Sequence, residues 1–151
     1  MSIRNSAKGI IINSEKQILL VRCAGKEDDF FILPGGGQNH GEPLEAALIR
    51  ECLEETGFLV EVGALFAVRE YIGAHHEFAA FDADVHQIEF MFFAKVLEKQ
   101  FEIPPQPDEK QKSFMWINLD DISKIPIYPK MLKEALQNKE NFESVYWGDT
   151  N

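Results

Sequence analysis

The chain predicts a single α+β domain over residues 1–151, and three observations carry that expectation. Residues 43–56 repeat their apolar positions at helical spacing, residues 88–96 alternate as a strand does, and short β-type runs flank both. A length of 151 residues suits one domain with a real core.

Taken in order, residues 7–13 and 17–22 read as two strands, joined by a turn at Asn13-Ser14-Glu15-Lys16. Residues 30–33 form a third short apolar run. Pro34 and the run Gly35-Gly36-Gly37 break it into a glycine loop, and Gly41-Glu42-Pro43 then starts a helix with proline at its first position, where the missing N–H costs nothing. The helix runs to Thr56, and Gly57 suits the left-handed residue that closes it. Residues 59–72 read as a long strand or a bent pair, and residues 73–85 as a loop. Residues 88–96, apolar on both faces, read as a central strand. A Pro-rich surface connection, 101–113, leads into a short strand at 114–119 that contains Trp116. Residues 120–125 and 128–138 read as two closing helices, the first capped by Asp120 or Asp121 and the second opened by Pro129. The last dozen residues carry no decisive pattern.

The helix at 43–56 holds the chemistry. Leu44, Ala47, Leu48, Glu51, Glu54 and Glu55 share one arc, while Ala46, Ile49 and Leu53 lie opposite. A helix apolar on two sides packs between other elements, which puts its carboxylates at the rim of a packed surface. Glu51 and Glu55 are like charges one turn apart, a cost of about 0.2–0.5 kcal/mol. Glu54 and Glu55 also stand at the negative end of the helix dipole. Arg50 offsets one charge by pairing with Glu54, and the remainder asks for a hard cation. Three carboxylates beside a glycine loop with free carbonyls make an oxygen-rich site suited to Mg²⁺ or Mn²⁺. The competing explanation is a solvated acidic helix end in a chain that is acidic throughout.

Composition narrows the classes. With 25 acidic against 15 basic residues, the net charge of −10 argues against a nucleic-acid-coating protein. No apolar run reaches the length of a membrane span, and the N-terminal residues lack the apolar segment of a signal peptide. Two cysteines, Cys23 and Cys52, make no disulfide framework, so a cytoplasmic location is expected.

Gly36, Glu42, Arg50, Glu51, Glu54, Glu55 and Gly57 fall at the spacing G-x5-E-x7-R-E-u-x-E-E-x-G-u, with Cys52 and Phe58 at the bulky apolar positions. This stretch resembles a complete Nudix box, the signature of hydrolases that cut nucleoside diphosphates linked to another moiety. The resemblance implies the Nudix fold, an α/β/α sandwich with a central mixed β-sheet. It also implies Mg²⁺- or Mn²⁺-dependent cleavage of a pyrophosphate bond in a nucleotide-type small molecule, and it is compatible with a homodimer. By the same likeness Glu51, Glu54 and Glu55, completed by the Gly36 carbonyl, hold the cation. Arg50 and Glu54 join the catalytic set, and Glu42 and Gly57 shape the motif. The family takes its base either from the box, here Glu51, or from the loop ahead of the Trp-containing strand, here Glu109, whose neighbour Asp108 is the other acid.

For the substrate, Arg22 is either a phosphate neutraliser or an ordinary charge at a strand end. Tyr71, Phe78 and Phe81 either stack on a base or plug the core under the 73–85 loop. His75 and His76 are phosphate or metal contacts, or plain surface residues. Glu70 and Glu89 are spare acids for the metal site. Family subgroups differ downstream of the box: ADP-ribose hydrolases carry a proline there and diadenosine polyphosphate hydrolases a tyrosine. This chain has no proline between Phe58 and Pro104, and Tyr71 lies nearer the box than the second pattern wants. A nucleoside triphosphate or a nucleotide sugar is left as the expected substrate class. A non-catalytic nucleotide-binding regulatory domain and an acidic metal-binding interaction protein are the readings from other classes.

Overall fold

β1 (Arg4–Ile11) is buried along most of its length, and its two faces serve two cores. Ala7 and Ile11 pack with Leu19, Ala47, Leu48, Cys52, Phe58 and Val60, while Ile10 packs with Ile18, Leu20, Leu33, Ala67, Met91, Ile122, Ile127 and Leu132. A computed structural model describes residues 1–102, 111–138 and 144–151. Within them β1 is followed by β2 (Gln17–Cys23), β3 (Phe30–Ile32), β4 (Gly35–Gly37), helix α1 (Leu44–Thr56) and β5 (Phe58–Ile72). Then come a short helix α2 (Ala79–Asp82), β6 (His86–Lys99), β7 (Gln111–Asn118), β8 (Ile127–Tyr128), α3 (Met131–Gln137) and β9 (Tyr146–Asp149).

The strands form two sheets, one of five in the order β4-β1-β6-β5-β9 and one of four in the order β7-β2-β3-β8. The first is mixed: β1 runs parallel to β6 and β5 parallel to β9, whereas β1–β4 and β5–β6 are antiparallel. β6 is the central strand of this sheet, as its apolar residues on both faces require. α1 packs in one core with Leu19 of β2 and with Phe114 and Trp116 of β7, while Ile18 and Leu20 of β2 pack in the other core with Met91 and Leu132. Each fully buried Leu or Ile in these clusters contributes about 1.5–3 kcal/mol. This is the expected α+β sandwich around a mixed sheet.

Three expectations are corrected, and a stretch without a decisive pattern takes a definite form. The glycine run is strand β4, with Ala7 opposite Gly36 in an antiparallel ladder with β1, so its backbone is fixed instead of looping freely. Gly35 takes φ +134°, a conformation that side chains rarely adopt, and a Cβ there would meet the Ala7 carbonyl. Residues 119–124 form a 3-10 turn with no side-chain cap, and Asp121 pairs with Lys124 instead of capping. The last helix starts at Met131, because residues 127–128 are drawn into β8. Lastly, residues 146–149 add a parallel strand to the edge beside β5, a pairing with no local signal in the sequence. Glu109 and Asp108 lie outside the described residues, as does most of the Pro-rich connection. Among the described residues no helix is long and apolar enough to cross a membrane.

Candidate active site

α1 presents its carboxylates toward β4 because the helix packs against β1, β4 and β5. Ala47, Leu48 and Cys52 are buried against Ala7 and Ile11, and this seating turns Glu51 and Glu55 to the glycine strand. Burial in apolar surroundings pushes the Cys52 thiol far up, so it packs as a small apolar side chain. Gly57 closes α1 at φ 78°, with its N–H donated to the Leu53 carbonyl.

Glu55 is buried, and its Oε1 accepts the Gly35 N–H at 2.8 Å. Gly36 lies so close to Glu51 that an added Cβ would stand 2.5–2.9 Å from its carboxylate group. A bare glycine is therefore what lets that carboxylate reach the strand. Arg50 holds the remaining part together. Its Nε and Nη2 donate to the two oxygens of Glu42 at 2.8 and 3.0 Å, and Nη2 also donates to the Gly37 carbonyl at 2.9 Å. Nη1 reaches Glu51 Oε1 at 2.9 Å and, less closely, Glu54 Oε2 at 3.4 Å. The expected Arg50–Glu54 pair is present, but Glu42 is the main partner because the planar fork fits one carboxylate with two bonds.

Glu42 accepts from Arg50 and from the Asn39 N–H, which hold its carboxyl down at about 2. It thereby ties the loop after β4 to the middle of α1. Among the described residues no three His, Cys, Asp or Glu side chains are already gathered as a cation cluster. Glu51 and Glu54 face Arg50, and Glu55 faces Gly35. The donor set of Glu51, Glu54, Glu55 and the glycine backbone is nonetheless all hard oxygen, of the kind Mg²⁺ and Mn²⁺ take.

The other sequence candidates are placed less uniformly. Arg22 on β2 pairs with Asp29 at 2.8 Å and lines an open cavity of about 510 Å³ with Glu27, Asp28, Asp29, Phe31 and Pro126, none of them from the helix or the glycine strand. Tyr71 is buried, donates its hydroxyl to Asp82, stacks on His76 and lies under the Arg69 guanidinium. It offers no open face to a base, which corrects that expectation in favour of a core role; burial and Asp82 push its hydroxyl up. Phe78 likewise packs on Phe30 and Tyr128. Phe81 on α2 is 73% exposed and keeps the open ring that stacking needs.

His75 and His76 converge on the two oxygens of Asp149, at 2.7 and 2.6 Å, so they clasp β9 instead of facing α1. Burial pushes the Asp149 carboxyl up, but His76, the Ile72 N–H and His75 outweigh it and hold it at about 2. Glu70 accepts from the Tyr146 hydroxyl. Glu89 is buried against Arg69 at 2.7 Å, and burial, which would raise its pKa, is outweighed by the Arg69 and Lys8 charges.

One residue near the glycine strand escaped the sequence reading. Lys8, buried in β1, donates its Nζ to the Gly35 carbonyl at 3.3 Å. The signal was a lysine inside the apolar run from Ala7 to Ile12.

A family model described as the NUDIX domain matches residues 3–138. A putative 8-oxo-dGTP diphosphatase of Bacillus subtilis (strain 168) is 42% identical over 59 residues, which cover 39% of this chain and 38% of that protein. The chain thus spans well under half the length of that relative. An ADP-ribose pyrophosphatase of Methanocaldococcus jannaschii is 29% identical over 134 residues, 87% of this chain and 72% of that one. Among solved structures, a NUDIX hydrolase from Nitrosomonas europaea superposes with a TM-score of 0.71 at 19% identity, covering 92% of this chain and 89% of its own. A UDP-X diphosphatase gives 0.66 at 23% identity, covering 99% and 68%. The chain therefore belongs to the Nudix family.

Proposed function

We propose that the protein hydrolyses, with Mg²⁺ or Mn²⁺, the pyrophosphate bond of a nucleoside diphosphate linked to another moiety, a nucleoside triphosphate or a nucleotide sugar. The observation that carries this reading is the seating of Glu51 and Glu55 against the bare strand Gly35–Gly37, with Arg50 aligning Glu51 and Glu54 beside them. These three carboxylates, with the Gly36 carbonyl, are the residues that would hold the cation. When bound, it would cancel charge on the diphosphate and lower the pKa of a water. The proposed acceptor of the attacking water's proton is Glu51, which lies close to Gly36 and accepts from Arg50, or else Glu109. Glu42 and Arg50 position these groups and touch no reacting atom.

Arg22 and Phe81 are the proposed substrate contacts, a guanidinium for phosphate and an exposed ring for a base. The substrate is small, the enzyme works in the cytoplasm, and neither a nucleic-acid polymer nor a membrane is its partner. Relatives named for 8-oxo-dGTP and ADP-ribose widen the compounds worth assaying. The test is Glu54→Gln. Its turnover of whichever nucleotide the native chain cleaves should fall on the order of 100-fold with the fold intact, as for loss of a group that stabilises developing charge. Turnover at the native rate removes Glu54 from the site.

A further inference from the structure

We propose that Lys8 is a positioning residue that sets the glycine strand against the box carboxylates; this rests on the reading of Glu51, Glu54 and Glu55 as the cation site.

Lys8 is 9% exposed, a costly place for an ammonium without partners. Its register places it opposite Gly35 on one side and Met91 on the other, one strand in from the edge of the five-stranded sheet. Nζ donates to the Gly35 carbonyl at 3.3 Å, and the charge of Glu89 faces it from β6. Gly35 is thus held at both ends. Its N–H is taken by Glu55 at 2.8 Å and its carbonyl by Lys8.

That carbonyl belongs to the peptide unit leading into Gly36, the residue that lies against the Glu51 carboxylate. An ammonium on this peptide fixes the plane between the two glutamates that face β4. The β-ladder alone does not fix it as firmly, since β4 is three residues long and stands at the sheet edge. Glu89, itself held by Arg69 and Gln87, adds an opposite charge on the β6 side of Lys8. Supporting partners of this kind are worth roughly 10–100-fold in metal affinity or activity.

The experiment compares the native chain with Lys8→Met, which keeps the side-chain length and loses the charge and donors. In the metal-free proteins, amide hydrogen exchange at Gly35 and Gly36 should quicken in the variant while α1 keeps its protection. Mn²⁺ binding, followed by electron paramagnetic resonance, should weaken about 10-fold or more, and kcat should fall similarly with KM within about twofold. Unchanged exchange, Mn²⁺ affinity and kcat would overturn the proposal, and so would tighter Mn²⁺ binding, which would make Lys8 a plain opposing charge.

Should Lys8→Met not fold, Lys8→Arg is set against Lys8→Gln. The proposal expects the arginine variant to bind Mn²⁺ and turn over better than the glutamine variant, and equal values contradict it. A native protein that neither binds Mn²⁺ nor cleaves any nucleotide defeats the parent reading instead; native turnover with an unaffected Lys8→Met defeats only the role of Lys8.

Discussion

Arg50 shows how one side chain can organise several. Its fork takes both oxygens of Glu42, the Gly37 carbonyl and Glu51 together. A lysine offers one point charge in place of that plane, so Arg50→Lys should lower kcat about 10-fold while leaving a folded protein, read by steady-state kinetics beside near-ultraviolet dichroism. Glu42 carries a pH prediction. Its carboxyl is held at about 2 against 4.5 for the ordinary group. A depressed carboxyl stabilises the fold above its unfolded value and loses that contribution as the pH falls toward its folded value. The stability gap between the native chain and Glu42→Gln should therefore be level above pH 5 and shrink from about pH 4.5 down to 2. A gap that stays constant across that range contradicts the Arg50–Glu42 account. The sequence made these residues legible because their spacing is fixed along one helix and one loop. It did not rank Glu42 above Glu54 as the partner of Arg50, since that choice depends on how the loop after β4 folds back over α1.

At the scale of elements, α1 stands on Leu48. This side chain is fully buried between β1 and the helix, and Leu48→Ala should cost about 2–5 kcal/mol by chemical denaturation. A cost under about 1 kcal/mol would mean that the helix does not bear on this core. The clasp between β9 and residues 73–85 is a second element-scale device. Asp149 binds both His75 and His76, and Tyr71 in the same region donates to Asp82. Asp149→Asn should speed amide exchange across residues 73–85 and 146–149 and leave α1 protected; uniform exchange changes through the chain would argue against a local clasp. Neither contact was readable beforehand. His75 and Asp149 are 74 positions apart, and nothing local in residues 146–149 announces a strand. Tyr71 misled for the same reason: an aromatic at a strand end looks available until His76 and Arg69 are seen to cover its faces.

The whole molecule sets an acidic composition beside the proposed reaction. With a net charge of −10 it would repel a polyphosphate, so the proposed substrate calls for cations to mediate its approach. The mixed five-stranded sheet fixes the glycine strand at one edge and α1 across its face, which brings Glu51 and Glu55 to the same three glycines. The helix and the central strand were legible from periodicity and from the glycine and proline stops, and the sandwich from the likeness of residues 36–58 to the Nudix box. The division of strands between two sheets was not, because partner choice depends on contacts across the chain. Metal-dependent hydrolysis at this face of α1, as proposed, is checked by measuring product release from nucleoside triphosphates, nucleotide sugars and ADP-ribose with Mg²⁺, with Mn²⁺ and with a chelator. The expected result is cleavage of one compound class that stops with chelator and returns when the cation is restored. Cleavage that ignores the chelator, or silence across the panel from a folded protein, would contradict it.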